Sequence, residues 1–354
     1  MSIKPIPQIL AVVLTALTAC SHGDADERQA VAIDERPIVF AGQTHDGVAI
    51  TRAALSDAAT SFRVWAYKNT AYDETDGYTA CQTVIDGYTV SWSNTLSSSN
   101  TAGWEYVNGS TQTIKYWDFN ALAYRFFGYA PATAGVDVAE SADKIILTVP
   151  VDGRSADAVA AAPYISEPWF STGNPTDYPD MLFAQPVRLS FFKPFARVHF
   201  LFTFADGLSI DRNDLSDVSF HPLNQSALIG QAGNVSFAYP LKGNDTTYSW
   251  TSTSTDGILA FTDDYQEGVS TNGVWYTVLP VETQGAYELT VNADGEDRSA
   301  TVPAVMMQWL PGYDYTYVFK ITEEGDVTLS TLRVNLSIAQ DWQKGNYNYT
   351  EIGN

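Results

Sequence analysis

Between Phe62 and Tyr67 the chain alternates with a period of two: Phe62, Val64 and Ala66 share one side, and Arg63, Trp65 and Tyr67 the other. That period belongs to an extended strand, and because both sides are partly apolar the strand is predicted to be covered on two faces. Similar runs predict strands at 37–40, 48–50, 83–90, 113–116, 124–129, 145–151 and 180–184. A stronger alternation follows, with Val198, Phe200, Phe202 and Phe204 on a core side and Arg197, His199, Leu201 and Thr203 on a side read as solvated. Residues 287–291 and 299–305 flank Ala293-Asp294-Gly295-Glu296, where Asp-Gly supplies the positive φ angles of a tight hairpin turn. A second hairpin joins 313–321 to 327–338 through Glu323-Glu324-Gly325-Asp326. Its last strand puts Leu332, Val334, Leu336 and Ile338 inward and Arg333, Asn335 and Ser337 outward. After the N-terminal segment, only the alanine-rich stretch 156–162, halted by Pro163, reads as a helix. Many short strands spaced by turns predict an all-β chain of two tandem β-sandwiches. The boundary is placed near Gln185-Pro186, giving domains at 37–185 and 186–354.

The first residues add an export signal. Lys4 precedes an apolar run from Ile9 to Leu17 that is too short to span a bilayer, so residues 1–19 read as a removable signal peptide. At Leu17-Thr18-Ala19-Cys20, small residues admit a peptidase and the thiol can accept lipid; the pattern resembles a bacterial lipoprotein lipobox and makes Cys20 the expected lipidation site. Residues 20–36 carry Asp24, Asp26, Glu27, Asp34 and Glu35 and few large apolar groups, which reads as an acidic tether. An acidic patch in that place resembles the surface-export signal of lipoproteins of the Bacteroidota. With Cys20 lipidated, Cys81 has no cysteine partner, so stability must come from packed sheets.

The 354 residues leave room for two ordinary domains. Lysine and arginine number 19 against 41 aspartates and glutamates, a net charge of −22. Such a surface repels phosphate backbones and anionic membranes, so nucleic acid is not an expected partner. Nine tryptophans, 20 tyrosines and 17 phenylalanines suit pleated strands.

No catalytic residue, metal site or cofactor is assigned. His22, His45, His199 and His221 stand at no metal-ligand spacing, and His199 reads as a surface strand histidine. The run Asp211-Arg212-Asn213-Asp214-Leu215-Ser216-Asp217 falls short of a calcium loop: Ser216 stands where the sixth position needs glycine, and Pro222 where the twelfth needs glutamate. It reads as a solvated turn. No phosphate-binding glycine loop, nucleophile elbow or Ser/His/Asp constellation is present. Trp92, Trp104, Trp117, Trp169, Trp250, Trp275 and Trp309 could stack on sugar rings, but strand-face packing is the reading for most of them.

The order of several segments carries a resemblance. Ile38-Val39-Phe40 comes first, then Thr51-Arg52-Ala53, then Phe62-Arg63-Val64-Trp65-Ala66-Tyr67. Asp180-Met181-Leu182-Phe183-Ala184 is followed by Val187-Arg188-Leu189-Ser190-Phe191, then by Leu310-Pro311-Gly312-Tyr313-Asp314-Tyr315 and the closing Asp341-Trp342 with Gly345. Behind a lipobox, this order resembles a fimbrillin-like protein of the type V pilus family. One departure is Lys193-Pro194, where many relatives have a histidine. The resemblance implies transthyretin-like, Greek-key sandwiches and a non-enzymatic structural or tip subunit of a cell-surface adhesive fimbria. It implies a lipidated precursor on the outer membrane, a protease cut after an arginine, loss of the first strand, and filling of its groove by a strand from another subunit.

In this chain the removed strand would hold Ile38, Val39 and Phe40, and Arg52 is the cut site, with Arg28 as alternative. Arg36 is unsuitable because Pro37 follows it, and Arg52 can also be read as a surface arginine without a processing role. The donor is either the strand of Leu332, Val334, Leu336 and Ile338 or the tail 346–354. Partners would be other fimbrial subunits, the outer membrane through Cys20, and a surface glycan or protein. The rival reading is a tethered surface glycan-binding lipoprotein.

Overall fold

The alternation that starts at Phe62 becomes a long strand whose two faces enter different cores. The computed structural model describes residues 36–41, 44–45, 48–49, 60–93, 103–172, 183, 185–210, 214–223, 230–255, 261–263, 275–282, 285–322, 324, 326–336 and 350–352. Its first strands are β1 (Thr44–His45), β2 (Val48–Ala49), β3 (Ser61–Asp73), β4 (Gly77–Trp92), β5 (Trp104–Glu105), β6 (Ala123–Ala130), β7 (Asp137–Glu140) and β8 (Lys144–Asp152). After the short helix α1 (Ala156–Ala161) come β9 (Tyr164–Ser166), β10 (Trp169–Thr172), β11 (Phe191–Phe192), β12 (Ala196–Phe204), β13 (Leu215–Pro222), β14 (Ala232–Pro240) and β15 (Ser249–Ser254). The remainder are β16 (Phe261–Asp263), β17 (Trp275–Val278), β18 (Tyr287–Ala293), β19 (Glu296–Val302), β20 (Tyr313–Ile321), β21 (Val327–Leu336) and β22 (Thr350–Ile352).

Apart from the β1–β2 hairpin, these strands form four sheets. The first runs β11-β9-β6-β3-β4-β5, with β10 also on β6. Every residue of β6 is buried, as expected of a central strand covered on both faces. Its Gly128 is required by close approach: a Cβ there would lie 2.0 Å from the Arg63 carbonyl oxygen. The second sheet runs β15-β14-β8-β7 and packs on one face of the first. Trp65, Tyr67 and Phe127 meet Leu147, Phe237 and Tyr239 there, and the Phe127 and Tyr239 rings stack at 4.3 Å. Phe62, Val64, Ala66 and Phe126 point to the opposite face, into a separate core shared with Ile38, Phe40, Trp104, Tyr106, Trp117, Phe183 and Val187.

The third sheet, β17-β12-β20-β21-β22, packs on the fourth, β16-β13-β18-β19. Val198, Phe200, Phe202, Tyr317 and Leu332 face Phe220, Leu289 and Val291. β12 and β20 pair in parallel from Arg197–Asp314 to Phe204–Ile321, so the chain between them must return the length of the sheet before β20 begins. The β8–β14 ladder joins strands from either side of Gln185-Pro186, because residues 232–254 leave the second half to complete the second sheet. All described residues fall in one compact unit, Ile33–Asn354.

Several local expectations are corrected. Residues 113–116 and 37–40 form no ladder; they meet through the single bridge Pro37–Tyr116, because the Tyr106 hydroxyl stands between the Lys115 N–H and the Ile38 carbonyl whose direct bond would extend it. The supposed turn at 215–217 is the start of β13. Its apolar residues Leu215, Val218 and Phe220 are spaced three and then two because a bulge, with Asp217 at φ 52°, interrupts the period. Of 180–184 only Phe183 is described, buried in a turn.

His199 is not a surface residue. It is 3% exposed and lies under Trp275, with ring centroids 4.6 Å apart. Arg197 is buried beside it, held by Asp314 through Nε–Oδ1 at 2.7 Å and a second, shorter contact. Burial, and then the Arg197 charge, push the His199 imidazole down to about 4.

The helix is where alanine content put it, with the Ser155 hydroxyl accepting from the Ala158 N–H at its start. Lys193 closes its other end. The buried ammonium donates to the carbonyls of Val159, Ala160 and Ala162 and lies 4.0 Å from the Tyr164 ring centre. Burial pushes this lysine down to about 7.

Candidate functional site

Residues 36–41 form an extended segment with a wall on either side. On one side it runs antiparallel to residues 104–117: Ile38 N–H donates to the Lys115 carbonyl at 2.8 Å, and Trp117 N–H to the Arg36 carbonyl at 3.0 Å. On the other it runs parallel to Val187, which donates to the Val39 carbonyl at 2.8 Å and accepts from Ala41 N–H at 3.0 Å. A fifth bond comes from a side chain. The Tyr106 hydroxyl donates to the Ile38 carbonyl at 3.0 Å while accepting from Lys115 N–H at 2.9 Å.

Alternation places Ile38 and Phe40 in the same core, Ile38 at 0% and Phe40 at 1% exposure. The Phe40 ring meets Phe62, Tyr106 and Phe126 edge-on, at 5.6, 5.8 and 6.2 Å between centroids. Burying two such side chains contributes about 2–3 kcal/mol each. The edge-on ring contacts add about 0.5–1.5 kcal/mol apiece. The segment is therefore held by side chains in a pre-shaped slot and by two edges, not by membership of a ladder.

The walls have their own supports. Gln112 ties the 106–112 loop to β4, donating to the carbonyls of Thr89 and Tyr106 at 2.9 and 2.6 Å while accepting from Thr89 N–H at 2.9 Å. Lys68 fixes the base of the next loop through Asp118 at 2.6 Å. Phe183 stacks on Trp117 at 5.5 Å and meets Tyr124 edge-on at 5.0 Å, in the core that also receives Ile38 and Phe40. Burial pushes the Tyr106 phenol well above its ordinary range, so the hydroxyl stays protonated and able to donate.

Among the predicted site residues, Ile38, Val39 and Phe40 are thus brought into one groove. Cys20, Arg28, Arg52 and Ile338 lie outside the described residues. Leu332 and Val334 are in β21, paired with β20 through Tyr317 and Tyr315 and with β22 through Ile352 and Thr350; Leu336 pairs with Tyr313. Leu332 belongs to the core between the third and fourth sheets, separate from the core that receives Phe40. Sequence reasoning missed the groove walls: Lys115 falls in the predicted strand 113–116 and Val187 in a segment of the resemblance, but neither pattern, and nothing around Tyr106, shows that they pair with residues 36–41.

Trp104, Trp117 and Trp309 are buried, while Trp169 and Trp250 pack against cores and Trp275 covers His199. No cluster of three or more His, Cys, Asp or Glu residues suited to a metal occurs among the described residues.

A fimbrillin-like family model matches residues 51–342. Among solved structures, a fimbrial protein from Bacteroides vulgatus ATCC 8482 is similar at 12% identity and TM-score 0.44, covering 86% of this chain and 100% of that one. A protein from Bacteroides ovatus ATCC 8483, provisionally described as a cell adhesion protein, is similar at 13% identity and TM-score 0.41, with 85% and 98% covered. One from Bacteroides uniformis ATCC 8492, described in the same way, is similar at 16% identity and TM-score 0.37, with 79% and 92% covered. No curated protein matches this chain. The family match spans most of the sequence, from before β3 to beyond β21: the chain belongs to the fimbrillin-like family of structural, non-enzymatic proteins.

Proposed function

We propose that this chain is a structural or tip subunit of a cell-surface adhesive fimbria, exported as a lipoprotein through Cys20 and assembled by strand exchange at the groove around residues 36–41. The observation that carries the reading is the seating of Ile38 and Phe40. A short segment, in no ladder, supplies two core side chains to walls built by residues 104–117 and 187. Cleavage after Arg52, or after Arg28 in the alternative, would determine whether that segment stays attached. After cleavage at Arg52 only local bonds hold it, and a strand from another subunit can replace it, satisfying the same backbone groups.

Of the two candidate donors, we favour the tail 346–354. β21 is paired along its length with β20, pairs with β22 over residues 332–334, and carries the buried Leu332, so lending it would open the core. β22, within the tail, pairs only with β21 among the described residues.

The test is to treat the purified full chain with an arginine-specific protease and follow its assembly. Ladders of oligomers that resist detergent, formed only after the cut and abolished by R52A, support the reading. Efficient cleavage with no assembly of cut chains, alone or with sister subunits, contradicts it.

A further inference from the structure

We infer that the groove around residues 36–41 selects its incoming strand by an aliphatic and then an aromatic side chain at its two alternate inward positions, with the Tyr106 hydroxyl reading the strand's backbone. This rests on the proposed exchange at that site and specifies the partner it accepts: neither 332–338 nor 346–354 of this chain has an aliphatic residue two positions before an aromatic one, so the incoming strand comes from a different subunit. The first inward position, occupied by Ile38, is completely buried, and its backbone is bonded twice, by the Lys115 carbonyl and by Tyr106. The second, occupied by Phe40, is walled by three aromatic rings presented edge-on, a geometry that rewards a flat ring over a branched aliphatic chain.

Backbone chemistry adds a second filter. The positions of Ile38 and Ala41 each donate an N–H to a wall carbonyl, so proline is excluded from both. The position of Pro37 tolerates proline because no N–H is needed there. Tyr106 is a positioning residue for the strand. When the segment leaves, its hydroxyl still accepts from Lys115 N–H and lies 3.3 Å from the Lys115 carbonyl. The hydroxyl therefore keeps partners in the wall, and its single proton can turn from the Lys115 carbonyl to the carbonyl of an incoming strand.

The test uses the full chain carrying I38A and F40A, which weakens the resident segment, and a fluorescent peptide of residues 35–42. Saturable binding to this variant but not to the unaltered chain is expected. Replacing the peptide's phenylalanine by alanine should weaken binding at least about tenfold and by leucine by less, and N-methylation at its isoleucine should weaken it about tenfold. Adding Y106F to the protein should cost several-fold in affinity for every peptide alike. Equal affinity for the phenylalanine and alanine peptides, or no effect of Y106F, overturns the selection rule while leaving strand exchange intact. No binding of any peptide to a folded I38A/F40A chain overturns the exchange reading itself. If that variant does not fold, a full chain with a specific protease site inserted between residues 42 and 43, cut after folding, is tested with the same peptides and judged by the same outcomes.

Discussion

The Tyr106 hydroxyl bonds both to the carbonyl of Ile38, in the resident segment, and to the backbone of Lys115, in the groove wall. One side chain thus couples the segment to the slot that holds it. If the segment is separable, weakening it should open the slot locally before it unfolds the protein. F40A should raise amide hydrogen exchange at Ile38, Ala41, Trp117 and Val187, the N–H groups spent on this contact, and leave β12 and β20 protected. Its global cost should fall below the roughly 3–5 kcal/mol usual for a buried phenylalanine, because the chain can unseat residues 36–41 instead. F126A, on the sheet beneath, should incur the full cost. Equal protection loss across all sheets in F40A would mean that the segment is an ordinary part of the core.

Arg125 ties a distant turn to the first sheet. Its guanidinium donates to the carbonyls of Gly243 and Asp245 and lies 4.7 Å from the Phe170 ring centre, while Asn69 Nδ2 donates to the Leu241 carbonyl at 3.0 Å. R125M keeps much of the bulk but leaves those carbonyls without the donor, at a cost of about 1–3 kcal/mol each. Denaturant unfolding should show the loss, and proteolysis of the folded variant should begin between β14 and β15. An unchanged urea midpoint would contradict this role.

The ion pair of Arg197 and Asp314 is nearly dry, at 6% and 2% exposure. Removing one partner strands a buried charge, so D314N or R197M alone should destabilise by about 3–5 kcal/mol. The double variant R197M/D314L should recover a large part of that loss. A double-mutant cycle of unfolding free energies checks it, and simple additivity would show that the pair is uncoupled.

Acid should weaken this protein partly through His199. Its folded value of about 4 lies below the ordinary 6.5, so between those values the unfolded chain binds the proton and the folded one does not. The contribution is present above pH 6.5 and is lost as pH falls through 4, a change of about 3 kcal/mol. H199F, which retains a ring for Trp275 to cover, should flatten the stability curve over that window relative to the unaltered chain. Parallel curves for the two proteins would rule His199 out as the source.

How far the chain could be read follows from which patterns are local. Phe62, Val64 and Ala66 against Trp65 and Tyr67 announced two covered faces, and the structure sends them to two cores. Asp294-Gly295 announced the β18–β19 turn, where both residues take positive φ. β13 escaped because its bulge breaks the period, and β14 could have been found from Val235, Phe237 and Tyr239, which alternate inward. Its pairing with β8, between residues 80 to 96 positions apart, leaves no local trace. The environment of His199 was misread for a related reason: one strand shows which residues share a side, but not that Trp275 on a neighbour covers it. Within the candidate site, Ile38 and Phe40 were legible as a strand, whereas the walls that make them a plug were not.

The central claim is that residues 36–41 occupy a slot that another strand takes over. It is tested most directly by the N-terminal residue and intact mass of the protein recovered from assembled cell-surface material. A start at Ala53 without lipid, with residues 36–41 absent, is the result predicted. A lipidated start at Cys20 in assembled material, with the segment still in place, would contradict it.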